Sequence, residues 1–277
     1  MKAALLLNPL SGRLSRMEEP RAAIEAAMRE AGFTPLPVPD GTLDAQWDTA
    51  REAGAEAMFI AGGDGTLRAF VQRLIEARLP CALLPGGTMN RVCLRLGLPE
   101  DPVEAARLYR PLPPEGLDVG FVNGEPMLYQ SIVGRPARLL RFREMQRAGG
   151  SWWPLLVTAC RNLFRPPWRD VIVPLAPATR ATGLAAVVTM PAPGDGSSLT
   201  LQLIQPAGPG GRIRLAWRWF RGRLAEDASV ITLFGQRFAV HGRARLLRVS
   251  LDGEMRMLVP PLRFRLAPLA LAVLPRA

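Results

Sequence analysis

The string Gly62-Gly63-Asp64-Gly65-Thr66 has the residue types and spacing needed to hold a phosphate. Glycines let an anion approach backbone N–H groups, Thr66 offers a cap or a hydroxyl, and Asp64 sets a carboxylate where a metal or a hydroxyl could meet it. Two other turns share this character. Asn8-Pro9-Leu10-Ser11-Gly12-Arg13 supplies a carboxamide, a hydroxyl and a guanidinium, and Pro85-Gly86-Gly87-Thr88-Met89-Asn90 repeats the glycine–threonine logic. Neither a Walker loop nor a Gly-x-Gly-x-x-Gly fingerprint occurs. Far downstream, Asp252-Gly253-Glu254 sets two carboxylates two residues apart. On an extended strand they would share a face, whereas a turn at Gly253 would break that parity. Taken alone, the string reads as an ordinary hairpin turn. His241 is the single histidine, which argues against a Ser-His-Asp triad or a histidine metal cluster, and it reads as a strand residue.

Positioning these groups requires alternating strands and helices. Lys2–Leu7 reads as a strand, Met17–Ala31 as a helix ended by Gly32, and Phe33–Val38 as a short strand interrupted by Pro35 and Pro37. A helix over Asp44–Ala53, a strand over 57–61, a helix over 66–77 and a strand over Pro80–Leu84 follow. After a short helix, Asp101 caps a helix that opens at Pro102. Apolar residues at 67, 70, 71, 74 and 75 give the 66–77 segment a helical stripe behind its glycine turn, and a helix N-terminus favours anions. Short connections between such elements predict a doubly wound parallel sheet. The 8–12, 62–66 and 85–90 turns then lie at strand carboxyl ends and converge on one crevice.

Pro111-Leu112-Pro113-Pro114-Glu115-Gly116 reads as a linker between a nucleotide-binding α/β domain over 1–116 and a β-rich lipid or acceptor domain over 117–277, whose last strand could return to the first domain. Alternating segments at 117–122, 127–133, 170–175, 184–190, 199–205, 229–234, 237–241, 246–252 and 262–266 predict an antiparallel, sandwich-like arrangement there. Pro206–Gly211 reads as a turn.

The net charge of +11 is unevenly placed: residues 1–118 hold 13 basic against 16 acidic side chains, and the rest hold 22 against 8. A basic second half points to an anionic surface, with phospholipid headgroups, nucleotide phosphates and nucleic acid as candidates, or to a merely solvated face. Trp152, Trp153 and Trp168 among Arg147, Arg161, Arg165 and Arg169 suit a membrane–water interface, nucleic-acid stacking or a packed core. Trp217-Arg218-Trp219-Phe220-Arg221 reads as a second piece of that surface or as a helix capping the sheet. No stretch reaches the ~18–20 apolar residues of a membrane span. Cys81, Cys93 and Cys160 have neither disulfide nor metal-ligand spacing, in keeping with a reducing cytoplasm, and Cys81 reads as a buried thiol.

In this order, Asn8-Pro9-Leu10-Ser11-Gly12, Gly62-Gly63-Asp64-Gly65-Thr66, Gly87-Thr88-Met89-Asn90 and Val249-Ser250-Leu251-Asp252-Gly253-Glu254 resemble the diacylglycerol kinase catalytic-domain family, which includes bacterial lipid kinases and is related to sphingosine and ceramide kinases. Pro261-Leu262-Arg263-Phe264 extends the likeness. The resemblance implies an ATP- and Mg²⁺-dependent transfer of the γ-phosphate to a lipid hydroxyl of diacylglycerol type, in a cytoplasmic protein touching the inner face of the membrane peripherally. It implies nucleotide contacts from Asn8, Pro9, Ser11, Gly12, Arg13, Thr42, Gly62, Gly63, Asp64, Gly65, Thr66, Gly87, Thr88 and Asn90. It implies catalytic roles for Asp252, Glu254 and Asp64, one of the late carboxylates as base and the other orienting or metal-linked. Asp195 matches a metal-linked position.

Departures from the family pattern bear on the acceptor. Arg135-Pro136-Ala137 follows Gly134 where an acidic residue is usual, the loop at Pro193–Leu199 is shortened, and Arg91 follows Asn90 in place of an acid. Two other readings therefore stand beside the lipid kinase: a nucleotide-binding regulatory protein without transfer chemistry, and an NAD kinase-like enzyme, which shares the Gly-Gly-Asp-Gly-Thr string. No nucleic-acid partner is expected, and a homodimer is left open.

Overall fold

The computed structural model describes residues 1–134, 171–176, 179–193, 198–205, 208–221 and 223–277. Arg135-Pro136-Ala137, the arginine–tryptophan stretch that follows, Cys160 and Asp195 lie outside them. The chain forms two compact units. The first comprises Met1–Val119 and Ala267–Ala277 with a short piece beginning at Ala192; the second runs from Gly120 to Leu266.

In the first unit, β1 (Lys2–Leu7), β2 (Thr34–Pro35), β3 (Ala57–Gly62) and β4 (Cys81–Pro85) pair in parallel in the order β2-β1-β3-β4. Leu5 lies opposite Phe59, and Phe59 opposite Ala82. Every residue of β3 and β4 is buried, as helices covering both faces of a parallel sheet demand. The helices are α1 (Pro20–Glu30), α2 (Leu43–Glu52), α3 (Asp64–Ala77), α4 (Arg91–Arg95) and α5 (Pro102–Leu108). The stripe expected on α3 is buried at Leu67, Phe70, Val71 and Leu74. Phe70 stacks on Trp47 of α2 at 5.6 Å between ring centroids. Asp101 caps α5 by accepting from the amides of Val103 and Glu104. Tyr109 is fully buried, and its hydroxyl both accepts from Leu83 N and donates to Leu83 O.

Three local expectations shift for identifiable reasons. The second strand contracts to Thr34–Pro35: Leu36 N still donates to Ala3 O, but Pro37 has no N–H with which to continue. The first helix begins at Pro20, whose ring suits the first helical position, after Glu19 turns with φ 44°. Helix α3 starts two residues early, at Asp64, inside the glycine string.

The strand β5 (Glu115–Val122) leads out of the first unit. The second unit adds β6 (Glu125–Met127), β7 (Gln130–Gly134), β8 (Val171–Ala176), β9 (Thr179–Gly183), β10 (Ala185–Thr189), β11 (Leu199–Ile204), α6 (Pro209–Phe220), β12 (Val230–Gly235), β13 (Arg237–Gly242), β14 (Leu247–Leu251), β15 (Glu254–Leu258) and the start of β16 (Leu262–Val273). One antiparallel sheet has the order β12-β11-β10-β7-β14-β15. In a second, β13 pairs with β16 and β8, and β8 with β9. Val133, Val188, Leu201 and Val249 of the first sheet share a core with Val171, Val173, Val240 and Phe264 of the second. Their neighbours Ile132 and Val187 face the other way, by the period-two rule of strands, and meet Leu215 of α6 and Leu224. This is the expected sandwich of two antiparallel sheets. His241 lies in β13, paired with Ile172. The end of β16 supplies Val273, which pairs in parallel with Cys81 in the first unit.

Three elements depart from expectation: β9 and β15 form where nothing was expected, and α6 begins in the segment read as a turn and runs into 217–220, where a helix capping the sheet was one of the two readings. Helix α6 opens at Pro209 within the segment read as a turn, despite two glycines in its first turn that each cost about 1 kcal/mol of helix propensity. Its packing through Leu215 and an arginine–aspartate cluster described below offset that cost. β15 follows Gly253 at once and pairs with β14 in the register Leu251 to Glu254.

Candidate functional site

In the first unit the three glycine turns meet. Asn8 Nδ2 donates to Thr66 Oγ1 at 2.9 Å, while Asn8 Oδ1 accepts from Leu10 N at 3.2 Å and so closes its own turn. Arg13 N donates to Gly86 O at 2.9 Å, and Gly86 N to Gly62 O at 2.8 Å. The third turn is closed by Asn90, which accepts from Gly87 N at 2.7 Å and donates to Gly87 O at 2.9 Å. A Cβ on Gly87 would sit 2.6 Å from the Gly63 Cα, and one on Gly12 would sit 2.6 Å from Thr88 Oγ1. A side chain on Gly87 would push its turn away from Gly63, whereas one on Gly12 would displace the Thr88 hydroxyl. The first bond of α3 is Leu67 N to Gly63 O, at 3.0 Å. The amides of Asp64, Gly65 and Thr66 therefore stand outside the helical ladder, at the positive end of the dipole. Arg13, Gly87, Thr88, Asn90, Cys93 and Glu100 line a small cavity of about 50 Å³ at the third turn.

Asp64 does not stand open to a metal or a hydroxyl. Its buried carboxylate accepts from Arg91 N at 3.1 Å and Val92 N at 3.0 Å, capping α4 and tying the second glycine turn to the third. Burial raises its pKa above the ordinary value, with the Val92 and Arg91 amides and the Arg91 charge opposing. Cys93 nearby is raised as well, by burial first and by Asp64 second. Arg13 reaches Glu100 at 2.9 Å. Thr42 caps α2 by accepting from Ala45 N at 3.2 Å.

Sequence reasoning passed over the residue that sets the Thr42 turn against the end of β1. Gln46 is buried; its Nε2 donates to Leu7 O and Gly41 O, and its Oε1 accepts from Leu7 N. Arg21 donates to the same Oε1, to Leu5 O and to Asp40. The available signal was a polar residue on the apolar face of α2, between Leu43 and Trp47.

In the second unit, Asp252 and Glu254 part company. Asp252 (φ 49°) and Gly253 (φ 98°) form a tight turn of left-handed residues between β14 and β15. The buried Asp252 carboxylate accepts from Leu128 N at 2.8 Å, Tyr129 N at 2.7 Å and Gln130 N at 2.9 Å. These bonds draw the amides of 128 and 129 away from strand pairing, which is why the single strand expected over 127–133 is broken into β6 and β7. Glu254 is exposed at the start of β15 and meets Arg256 at 3.1 Å. Ser131, opposite Leu251, is fully buried with no hydrogen-bond partner for its hydroxyl among the described residues. No group of three His, Cys, Asp or Glu side chains is placed to hold a metal among the described residues.

The diacylglycerol kinase catalytic domain matches residues 2–122, the stretch that holds all three glycine turns. Over that stretch the chain is similar to the diacylglycerol kinase catalytic-domain family. Over 140 residues the chain is 36% identical to a protein of Chromohalobacter salexigens named "Probable lipid kinase YegS-like", covering 47% of this chain and 44% of that one. Over 128 residues it is 29% identical to a diacylglycerol kinase of Mycobacterium tuberculosis, covering 45% and 41% of the two. The chain thus spans less than half the length of the curated relatives it matches. A crystal structure of a diacylglycerol kinase from Bacillus anthracis str. Sterne aligns with a TM-score of 0.65 over 99% of this chain and 96% of that one, at 18% identity. The diacylglycerol kinase fold therefore extends over both units. Among the described residues no helix is long and apolar enough to cross a membrane.

Proposed function

We propose that this protein is a lipid kinase that transfers the γ-phosphate of ATP to the hydroxyl of a diacylglycerol-like acceptor, touching the membrane peripherally. The observation that carries the reading is the junction of the three turns, where Gly87 lies so close to Gly63 that a Cβ on Gly87 would sit 2.6 Å from the Gly63 Cα. The amides of Asp64, Gly65 and Thr66 hold phosphate oxygens, and the Asn8–Thr66 bond fixes the hydroxyl beside them. Mg²⁺, which neutralises charge on the transferring group, fits a site where nucleotide phosphates and water supply most ligands. Among the described carboxylates at the two glycine-turn motifs, Glu254 is the exposed one. It takes the acceptor hydroxyl proton as the lipid oxygen bonds to phosphorus and the bond to the ADP oxygen breaks. Asp252 positions the 128–130 turn.

Labelled ATP with Mg²⁺ and diacylglycerol, sphingoid bases or phosphatidylglycerol tests this reading. A labelled lipid from the wild type, lost in Glu254→Gln, supports it. Nucleotide binding without lipid product would favour a regulatory protein, and product formed only from NAD would favour an NAD kinase.

A further inference from the structure

Helix α6 carries none of the residues assigned to the site described above. It is anchored to the outer face of the six-stranded sheet by Leu215, which is buried against Ile132 and Val187. Arg214 grips the buried Asp227 through Nε at 2.7 Å and Nη2 at 3.1 Å, and Arg218 reaches the same carboxylate at 3.6 Å. Arg214 and Ser229 hold the Asp227 carboxyl well below the usual carboxylate range, so the clamp is ionic at neutral pH. This anchoring turns two large apolar side chains outward. Ile213 is 58% exposed and Trp217 is 56% exposed. Four residues apart, they lie one above the other on the helix face. The Arg221 guanidinium sits over the Trp217 ring, 4.6 Å from its centroid.

Resting on the reading of this protein as a lipid kinase, we infer that the Ile213–Trp217 face of α6 is its docking surface for anionic phospholipid membrane. Charge selects the occupant. Residues 209–227 hold five arginines against Glu226 and Asp227, and α6 itself holds no acid. A second copy of this face would bring like charges together. Nucleic acid has no use for an exposed isoleucine beside the tryptophan. An anionic bilayer meets both halves: indole and aliphatic groups enter the headgroup–acyl boundary while guanidiniums reach the phosphates.

Sedimentation with phosphatidylcholine vesicles, with and without phosphatidylglycerol, tests the inference. The wild type binds only the phosphatidylglycerol vesicles, and binding weakens as salt is added. The double substitution Ile213→Ser/Trp217→Ser lowers that binding on the order of tenfold or more, since it removes two apolar groups from the interface. Arg221→Glu lowers it as well. Brominated acyl chains quench wild-type tryptophan fluorescence more than that of Trp217→Ser. Because both residues are exposed, thermal stability and phosphate transfer to a soluble short-chain diacylglycerol stay at wild-type levels. Equal vesicle binding by wild type and double variant would overturn the inference. So would wild-type indifference to phosphatidylglycerol, or a double variant that loses self-association or DNA retention instead. Absence of product from the soluble acceptor would defeat the lipid-kinase reading alone, since vesicle binding is read separately.

Discussion

The glycine turns of the first unit and the Asp252 hairpin of the second use one device for opposite ends. Each has a buried aspartate whose oxygens hold neighbouring backbone amides: Asp64 takes those of Arg91 and Val92, and Asp252 takes those of Leu128, Tyr129 and Gln130. Around Asp64 the fixed backbone carries glycines, so what it offers a ligand is N–H groups. Beside Asp252 the fixed backbone carries Glu254, so what it offers is a charged side chain held at a turn. Recognition by main chain needs turns pressed together without Cβ atoms, and chemistry by side chain needs one group exposed and its support buried. The two sites therefore fail in different ways.

The sharpest contrast is between adjacent carboxylates. Glu254→Gln keeps the shape of an exposed side chain, and its expected cost falls almost wholly on transfer, by about 10²–10⁴-fold in rate, the range a general base supplies. Its stability stays within about 0.5 kcal/mol of wild type. Asp252→Ala strands three amides at once and should cost about 3 kcal/mol in urea unfolding, with Asp252→Asn intermediate because one oxygen remains. If Glu254→Gln instead destabilised the fold while Asp252→Ala left it intact, the roles of the pair would be reversed.

On the main-chain side, Gly87→Ala tests close approach. The new methyl would meet the Gly63 Cα at 2.6 Å, a backbone atom that yields only by moving the whole turn. A stability loss of about 1–3 kcal/mol is expected from such overpacking, with nucleotide affinity down by roughly tenfold from the displaced amides. Isothermal titration with a non-hydrolysable ATP analogue reads the second number. Unchanged affinity would mean that the third turn contributes no phosphate contacts.

The alternation of the first unit was readable because each signal was local: strand runs ending in glycine turns, a 3.6-residue stripe on α3, and the Asp101-Pro102 start of α5. The sandwich class was readable too, from recurring period-two segments. Less legible were features set by long-range contact. No local pattern says that the amides of 128 and 129 answer to a carboxylate 123 residues or more away and so split a strand in two. Helix α6 was masked by glycines and proline at its start, and its existence depends on Leu215 packing and on Asp227, beyond its own span. In the candidate site, residue identity was visible but direction was not. Asp64 was expected to face a ligand, and it faces α4, because Gly62 and Gly63 bring β3 to an end just where the amides of α4 stand unpaired.

The smallest effect expected concerns the charge on Asp64. Burial places the Asp64 carboxyl above its ordinary value of 3.8, even though two amides and Arg91 favour the ionised form. A carboxyl raised in the folded state contributes stability in full below its unfolded value, and that contribution is lost as pH rises through the folded value. Burial therefore opposes ionisation of Asp64, and what its carboxyl secures is the joint between two glycine turns. Asp64→Asn cannot ionise and keeps one acceptor oxygen. Measured by thermal unfolding from below pH 3.8 upward, the stability of wild type relative to Asp64→Asn should fall as pH rises. A difference that grows with pH would mean that the amides and Arg91 outweigh burial. Asp64 would then be a carboxylate that stabilises its fold by being charged.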